Sequence, residues 1–299
     1  MMKKYLFIAL AAAAMTSCSQ DDTLDVVQGE AIKFGNVLVD NATRAAEYTA
    51  ASEISEFKVY GDITLTGTTT TATLYNGAEV KKENSAWTCT DTQYWLPSCS
   101  YNFTAVVDGS INNGSISYNM GDGDLLLAKA TATTDENAAP SQNPVAFTFG
   151  HLLSKTYFTF TNGTEAKDKY TYQVTSISVT NYASSGTFNV SNETWSETLG
   201  TLSTTPLTYT VNSNVAAEQV SSTANLLVPG AQNLSITIAY NVLFDGKVFY
   251  STSTTKPLNH TFVKNYVYNI GVTLPAPGYE IKFTVTDQLG WGTSSDVNL

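Results

Sequence analysis

Apolar residues fall on every second position along much of this chain, and this two-residue period constrains the fold more than any other feature. The pattern is clearest from Leu234 to Tyr240, from Tyr266 to Leu274 and from Tyr279 to Val285. Successive side chains of an extended strand point to opposite faces, so the pattern predicts strands with one buried face. Helical periodicity is almost absent, and turn signals such as Asn76-Gly77 and Asn113-Gly114 separate short strands. The sequence therefore predicts an all-β fold built of β-sandwiches.

The length and the charge limit the domain number and the partners. A chain of 299 residues is long enough for two ordinary domains. Residues 134–144 contain two prolines and no periodicity, so we expect a first β-sandwich domain over residues 45–145 and a second over residues 146–299. The formal net charge of −11 repels phosphate backbones, which excludes nucleic acid as an expected partner.

The first residues have the layout of a lipoprotein signal. Lys3 and Lys4 precede an apolar run from Tyr5 to Met15, and small residues then lead to Cys18. The run is too short to span a bilayer and is typical of a secretory signal. We expect a signal peptide over residues 1–17, a lipid such as palmitate on Cys18, and a tether over residues 18–44. The alternative is an ordinary signal peptide with a cysteine near its end.

Two further cysteines lie within the first predicted domain. Cys89 and Cys99 bracket a short loop, and an exported protein resides where disulfides are permitted. Two strands joined by this loop could bring the two residues within disulfide range, so a Cys89–Cys99 bridge is predicted. Two buried free thiols are the alternative that the sequence leaves open.

No pattern of catalytic or metal-binding residues stands out. His151 and His260 are the only histidines, no Gly-x-Ser-x-Gly motif is present, and neither histidine has neighbouring metal ligands. Gly121-Asp122-Gly123-Asp124 lacks the closing glutamate of a calcium loop and is interpreted as a turn. We therefore expect no enzyme, no metal and no cofactor, and a half-buried structural role for His151. The four tryptophans are Trp87, Trp95, Trp195 and Trp291; they could form a sugar-stacking platform, but buried sandwich tryptophans are the more common arrangement.

A series of short motifs runs in order along the chain. These are the lipobox around Cys18, Ile32-Lys33-Phe34, Thr43-Arg44-Ala45, Leu125-Leu126-Leu127-Ala128, the segment from Phe149 to Lys155, Leu227-Val228-Pro229, the segment from Lys264 to Tyr268, and the tail from Phe283 to Asp287. In this series the chain resembles the fimbrillin family, the type V pilins and pilin-like proteins of Bacteroides and related bacteria. One departure is that the family tail often reads Asp-Trp, whereas Gln288 follows Asp287 here.

The resemblance implies a fold, a location and an assembly route. It implies two transthyretin-like β-sandwich domains in tandem and a lipoprotein precursor carried to the outer membrane and cell surface. It also implies that an Arg-specific, trypsin-like protease cuts between Arg44 and Ala45. The lost N-terminal strand would open a groove that a strand of another subunit fills, which is β-strand addition.

The two ends of the chain carry a matching triplet. Ile32-Lys33-Phe34 recurs as Ile281-Lys282-Phe283, with the apolar residues at alternate positions in both. We therefore expect the last strand, with Ile281, Phe283 and Val285, to be the donor that replaces the N-terminal strand of a neighbour. The alternative is that this strand completes its own second domain.

These inferences lead to an expected function. The chain is expected to be a structural pilus subunit with a role in adhesion. Its partners would be other pilin subunits, the processing protease, the outer membrane through its lipid, and a receptor on a host or bacterial surface. A surface glycan-binding lipoprotein that assists nutrient uptake is the alternative.

Overall fold

The computed structural model describes residues 29–39, 53–167, 169–211, 214–215, 219–276 and 279–289. This part of the chain forms β-strands and contains no helix, so the all-β class predicted from the two-residue period is confirmed. Accordingly, no helix among these residues is long and apolar enough to cross a membrane.

The described strands are, in chain order, β1 (Phe34–Val39), β2 (Glu56–Leu65), β3 (Thr71–Glu83), β4 (Ala86–Cys89), β5 (Cys99–Val107), β6 (Ile111–Asn112), β7 (Ser115–Asn119), β8 (Leu126–Thr133), β9 (Val145–His151), β10 (Ser154–Asn162), β11 (Tyr170–Thr180), β12 (Tyr182–Ala183), β13 (Ser185–Asn189), β14 (Thr194–Trp195), β15 (Leu202–Ser203), β16 (Leu207–Tyr209), β17 (Asn214–Val215), β18 (Val220–Leu227), β19 (Gly230–Phe244), β20 (Lys247–Phe262), β21 (Tyr266–Leu274) and β22 (Lys282–Leu289).

A seven-stranded sheet forms the first half of the molecule. Its strand order is β1-β9-β8-β5-β2-β3-β4, and β1 runs parallel to β9. The sheet curls until its two outer strands meet, and Ala31, just before β1, bridges Tyr94, just after β4. The curled sheet encloses a core rich in aromatic side chains, including Phe57, Phe103 and Phe147.

Two sheets enclose a second core in the later half of the chain. One has the order β18-β10-β21-β22 and the other the order β16-β11-β19-β20. The apolar faces of β10 and β21 pack against those of β11 and β19, and Phe158, Ile236 and Ile270 are each no more than 1% exposed. The half-buried strand predicted from Leu234 to Tyr240 lies within β19.

A further, four-stranded sheet joins the two halves. The β6–β7 hairpin of the first half pairs through β7 with β13 of the second, with Ile116 opposite Phe188, and β14 pairs with the other edge of β13. A separate apolar cluster lies at this junction and contains Ile116, Phe188 and Leu153. The two halves are thus connected by a continuous sheet as well as by the chain.

The seven-stranded sheet extends past the domain boundary drawn from the sequence. β9, Val145–His151, pairs with both β1 and β8 and therefore belongs to the first half, whereas the sequence placed the boundary at residue 145. The physical reason is that Val145, Phe147 and Phe149 continue the alternating pattern and are completely buried in the first core. The transthyretin-like arrangement of the two halves stays a prediction.

A small ion network also crosses the junction. Glu193, in the turn between β13 and β14, lies 2.8 Å from the Lys129 Nζ of β8 and 3.5 Å from the Lys264 Nζ. Lys129 also donates a hydrogen bond to the Val190 carbonyl. The hydrogen bond from Lys129 is the main cause that lowers the pKa of Glu193 below its ordinary value.

Replacing Glu193 with glutamine is expected to lower the melting temperature by about 1–2 °C at pH 7, because exposed ion pairs contribute little. The folded-state pKa lies below the unfolded one. The contribution of the Glu193 carboxylate to the free energy of unfolding is therefore complete above the ordinary carboxyl pKa of about 4. It is lost as the pH falls through the lowered pKa of the folded state. Melting curves of both proteins should converge at low pH. Glu197→Gln, at an exposed glutamate, is the control, and an equal loss in that variant would contradict the account.

Candidate functional site

The N-terminal strand β1 lies at the rim of the seven-stranded sheet. It pairs with β9 alone in the sheet order, from Phe34 opposite Val145 to Val39 opposite Phe149. A bulge interrupts the register between Gly35 and Val37, because Asn36 adopts a left-handed backbone with φ of 47°. Strand β1 is therefore the last strand of this sheet and is attached to it through β9.

The residues just before β1 close the gap to the other edge. The Ile32 N–H donates to the Gln93 carbonyl at 2.8 Å, and the Gly29 N–H donates to the Trp95 carbonyl at 3.0 Å. In return, the Trp95 N–H donates to the Glu30 carbonyl at 3.1 Å. Residues 29–32 thus lie against the segment that follows β4, and residues 34–39 lie against β9.

A side chain continues the pairing where β9 cannot. The Val145 N–H donates to the Lys33 carbonyl at 2.7 Å, but the preceding residue, Pro144, has no N–H to donate. Asn143 supplies the missing groups. Its Oδ1 accepts a hydrogen bond from the Lys33 N–H at 3.0 Å, and its Nδ2 donates to the Ala31 carbonyl at 3.2 Å.

The inward face of this segment forms part of the first core. Ile32, Phe34 and Val37 are 5%, 4% and 8% exposed, whereas Leu38 on the outward face is 58% exposed. The ring of Phe34 contacts four others, those of Phe57, Tyr75, Phe103 and Phe147, at centroid distances of 5.6–6.5 Å. Burial here also raises the pKa of the Tyr75 phenol. The alternation predicted for Ile32-Lys33-Phe34 is confirmed.

Replacing Phe34 with alanine is expected to destabilise the protein by about 3–5 kcal/mol, because the truncation leaves a cavity among four rings. The matched control is Leu38→Ala on the same strand, which should stay within about 0.5 kcal/mol of the parent because Leu38 is exposed. Urea unfolding followed by tryptophan fluorescence measures both variants. Equal losses would mean that β1 contributes to stability through its backbone alone.

The last described strand, β22, has a comparable position in the second half. It is the rim strand of its sheet and pairs antiparallel with β21, with Phe283 opposite Val272 and Val285 opposite Ile270. Ile281, just before it, is 7% exposed, while Phe283 and Val285 are half-buried against the second core. In the isolated chain the candidate donor residues thus complete their own domain, which is the alternative raised by the sequence.

The other sequence-predicted sites divide into two groups. Cys18, Arg44 and Ala45 lie outside the described residues. Cys89 and Cys99 are free thiols in the structure, and β2 and β3 lie between their strands. Burial raises the pKa of both thiols. This arrangement corresponds to the alternative of two free thiols, and the Cys89–Cys99 bridge stays a prediction.

Neither histidine is part of a recognisable catalytic arrangement. His151 is 1% exposed, more buried than the sequence suggested, and its Nδ1 lies 2.9 Å from the Asp124 Oδ2 at the junction between the halves. His260 packs against the rings of Phe262 and Tyr268. Among the described residues no cluster of three His, Cys, Asp or Glu could hold a metal ion.

The three tryptophans within the described residues do not form an exposed platform. Trp95 is completely buried in the first core, and Trp87 is half-buried against it. Trp195 packs at the junction, where its Nε1 donates to the Leu152 carbonyl. Trp291 lies outside the described residues. The described tryptophans therefore stabilise the cores, as the more common arrangement predicts.

A family model described as fimbrillin-like matches residues 43–287, which is most of the chain. No curated protein matches the sequence.

Several solved structures share the fold. A fimbrial protein of Bacteroides vulgatus superposes with a TM-score of 0.57 at 12% identity, over 87% of this chain and 99% of that one. Candidate cell adhesion proteins of Bacteroides uniformis and Bacteroides ovatus give TM-scores of 0.52 and 0.51 at 18% and 16% identity. They cover 89% and 87% of this chain, and 99% and 98% of their own.

Proposed function

The chain belongs to the fimbrillin-like family, and from this we propose that it is a structural subunit of a pilus at the cell surface. The observation that carries the proposal further is the N-terminal strand. It fills the centre of the first core with Phe34, yet within the sheet it pairs with β9 alone. Removal of this strand would leave a long groove lined by apolar side chains and by backbone N–H and C=O groups without partners. Such a groove is a receptor for an extended peptide.

The chain provides one place for an Arg-specific protease to release this strand. Arg44 is the only arginine among 299 residues, whereas lysine occurs 14 times. It follows β1 by five residues in the sequence. Cleavage after Arg44 would separate residues 29–39 from the rest of the domain and leave all later strands on one chain. The strand could then leave without any other break.

The C-terminal strand matches the groove better than the shared triplet alone suggests. In β1 the inward side chains are Ile32, Phe34 and Val37, because the bulge at Asn36 adds one residue between the last two. A strand without a bulge reaches the same three places with residues at positions 0, 2 and 4. Ile281, Phe283 and Val285 have this spacing. We infer that they occupy the places of Ile32, Phe34 and Val37 in a neighbouring subunit.

One contact limits how the donor can be seated. A Cβ atom placed at Gly35 would approach the Pro144 Cγ to 3.0 Å, and Thr284 of the donor would replace Gly35. The donor backbone must therefore lie a few tenths of an ångström further from Pro144 than β1 does. A straight strand, which does not follow the bulge, allows such a shift.

The rest of the proposal follows from the direction of this pairing. A donor at one end and a groove at the other make a head-to-tail contact that does not close, so subunits join into a filament. A sheet edge exposed before export would cause aggregation. This gives a physical reason for cleavage to occur only after export. We propose that lipid on Cys18 holds the precursor at the outer membrane until cleavage, and that the finished pilus serves adhesion through a surface receptor.

The experiment that tests the function compares cells with and without the gene. Electron microscopy should show fibres only in the first, and unheated gel samples should show ladders of subunits that collapse on boiling. A strain that carries the protein on its surface as a heat-independent monomer, without fibres, would favour the glycan-binding alternative.

A further inference from the structure

The groove around β1 contains one polar side chain that binds main chain only. Asn143 bonds the Lys33 N–H through Oδ1 and the Ala31 carbonyl through Nδ2, and it reaches across 110 and 112 residues of sequence to do so. It stands next to Pro144, which directly precedes β9 and has no N–H to donate. On the other side, the backbone of Gln93 bonds Ile32, and the backbone of Trp95 bonds Gly29 and Glu30. Without Asn143, residues 31–33 would keep only the bond from the Val145 N–H to the Lys33 carbonyl on the β9 side.

We propose that Asn143 is the main-chain receptor of this groove and holds whichever strand occupies it. The inference rests on the proposed strand exchange and adds to it the residue that seats the incoming strand. Because both hydrogen bonds go to backbone atoms, they do not depend on the side chains of the occupant, whereas the pockets of Ile32, Phe34 and Val37 do. With Ile281 in the place of Ile32, Asn143 bonds the Lys282 N–H and the Glu280 carbonyl of a second copy.

The first test measures how long a peptide stays in the groove. The full chain is cut after Arg44 and incubated with an excess of a fluorescent peptide of residues 29–39, and dissociation of the peptide is then followed. The loss of two hydrogen bonds in Asn143→Ala should accelerate dissociation about 10- to 100-fold. Asn143→Asp keeps the acceptor and loses the donor, so its rate should lie between. A peptide of residues 279–289 represents the donor strand of a neighbouring subunit. Its dissociation rates from the parent and the two variants should follow the same order.

The chain offers a matched control beside this residue. Gln142 is in the same loop, and its Nε2 donates to the Thr131 carbonyl at 2.9 Å, whereas the structure shows no hydrogen bond from it to residues 29–39. Gln142→Ala should therefore leave the dissociation rate unchanged. Circular dichroism melts of all variants establish that the cut chains are folded at the temperature of the assay.

A second test separates a direct bond from a structural effect. In one peptide the amide of Lys33 is replaced by an ester, which removes the N–H that Asn143 accepts. In another the amide of Ile32 is replaced, which removes the N–H bonded to Gln93. The Lys33 ester should accelerate dissociation from the parent chain and have no further effect on Asn143→Ala. The Ile32 ester should accelerate dissociation equally from both.

The outcomes distinguish this inference from the function on which it rests. If no cut chain exchanges peptide, the proposed strand exchange is contradicted and this inference with it. If peptides exchange but dissociate from Asn143→Ala and the parent at equal rates, this inference alone is overturned. Equal ester effects at Lys33 in both chains would overturn it as well.

Discussion

A subunit with Arg44 replaced by alanine is expected to remain monomeric under conditions in which the parent forms fibres. Arg44 is the only arginine in the chain, so an Arg-specific protease has no second bond to cut. Without cleavage, β1 stays covalently attached and keeps Phe34 in the first core. A competing strand would then have to displace a tethered one, whose effective concentration is in the millimolar range. Gel ladders in unheated samples and electron microscopy measure the result.

Rescue by a different cut provides the control for this variant. Residues 42–44 are replaced by the recognition sequence of an unrelated protease, and fibres should form only after that protease is added. Fibres formed by Arg44→Ala without any cleavage would show that assembly does not require release of the N-terminal strand.

Removal of the chain from Tyr279 onward is expected to abolish assembly and leave the domains folded. β22 is a rim strand, so β21 keeps its pairing with β10 when β22 is lost. The loss of buried Ile281 and half-buried Phe283 and Val285 would lower the stability, but most of the second core would remain. The cut, truncated subunit would then have a groove and no donor. It should act as an acceptor for intact subunits and cap their fibres.

A shorter truncation is the matched control. Ending the chain at Leu289 keeps β22 complete, and this variant should still polymerise after cleavage. Polymerisation of the longer truncation would show that Ile281, Phe283 and Val285 are not the donor. Unfolding of the longer truncation, measured by circular dichroism, would instead support the role of β22 in its own domain.

The sequence predicted strands best where the alternation is regular, because alternation is a local signal. The turn predicted at Asn76-Gly77 was wrong, since β3 continues through both residues. The pattern from Leu234 to Tyr240 reports a strand with one buried face, and β19 has that face. The alternating run from Tyr266 to Leu274 likewise became β21. The triplet around Ile32 was correctly predicted to bury its apolar residues, because Lys33 between them must remain solvated.

The features that the sequence did not predict depend on contacts between distant segments. The parallel pairing of β1 with β9 joins residues more than 100 positions apart, and no local pattern specifies it. Asp124 gave no sign that it lies beside His151, since the two meet only where the start of β8 pairs with the end of β9. Asn143 lies in the segment of residues 134–144 from which the sequence predicted the domain boundary. Its role depends on the neighbouring Pro144, and a proline beside an asparagine in sequence also fits an ordinary turn.

The donor strand can be located directly by disulfide trapping between two subunits. Thr148 is exposed on β9 and pairs with Leu38 of β1. A straight donor strand with Phe283 in the place of Phe34 would put Thr286, also exposed, opposite Thr148.

Thr148→Cys and Thr286→Cys subunits are therefore mixed, cut after Arg44, assembled and oxidised. The account predicts a covalent dimer on a non-reducing gel that requires both variants and the cut. It also predicts no such dimer when Thr286→Cys is replaced by Thr255→Cys, at an exposed position of β20. Fibres that assemble without the Thr148–Thr286 dimer would contradict it.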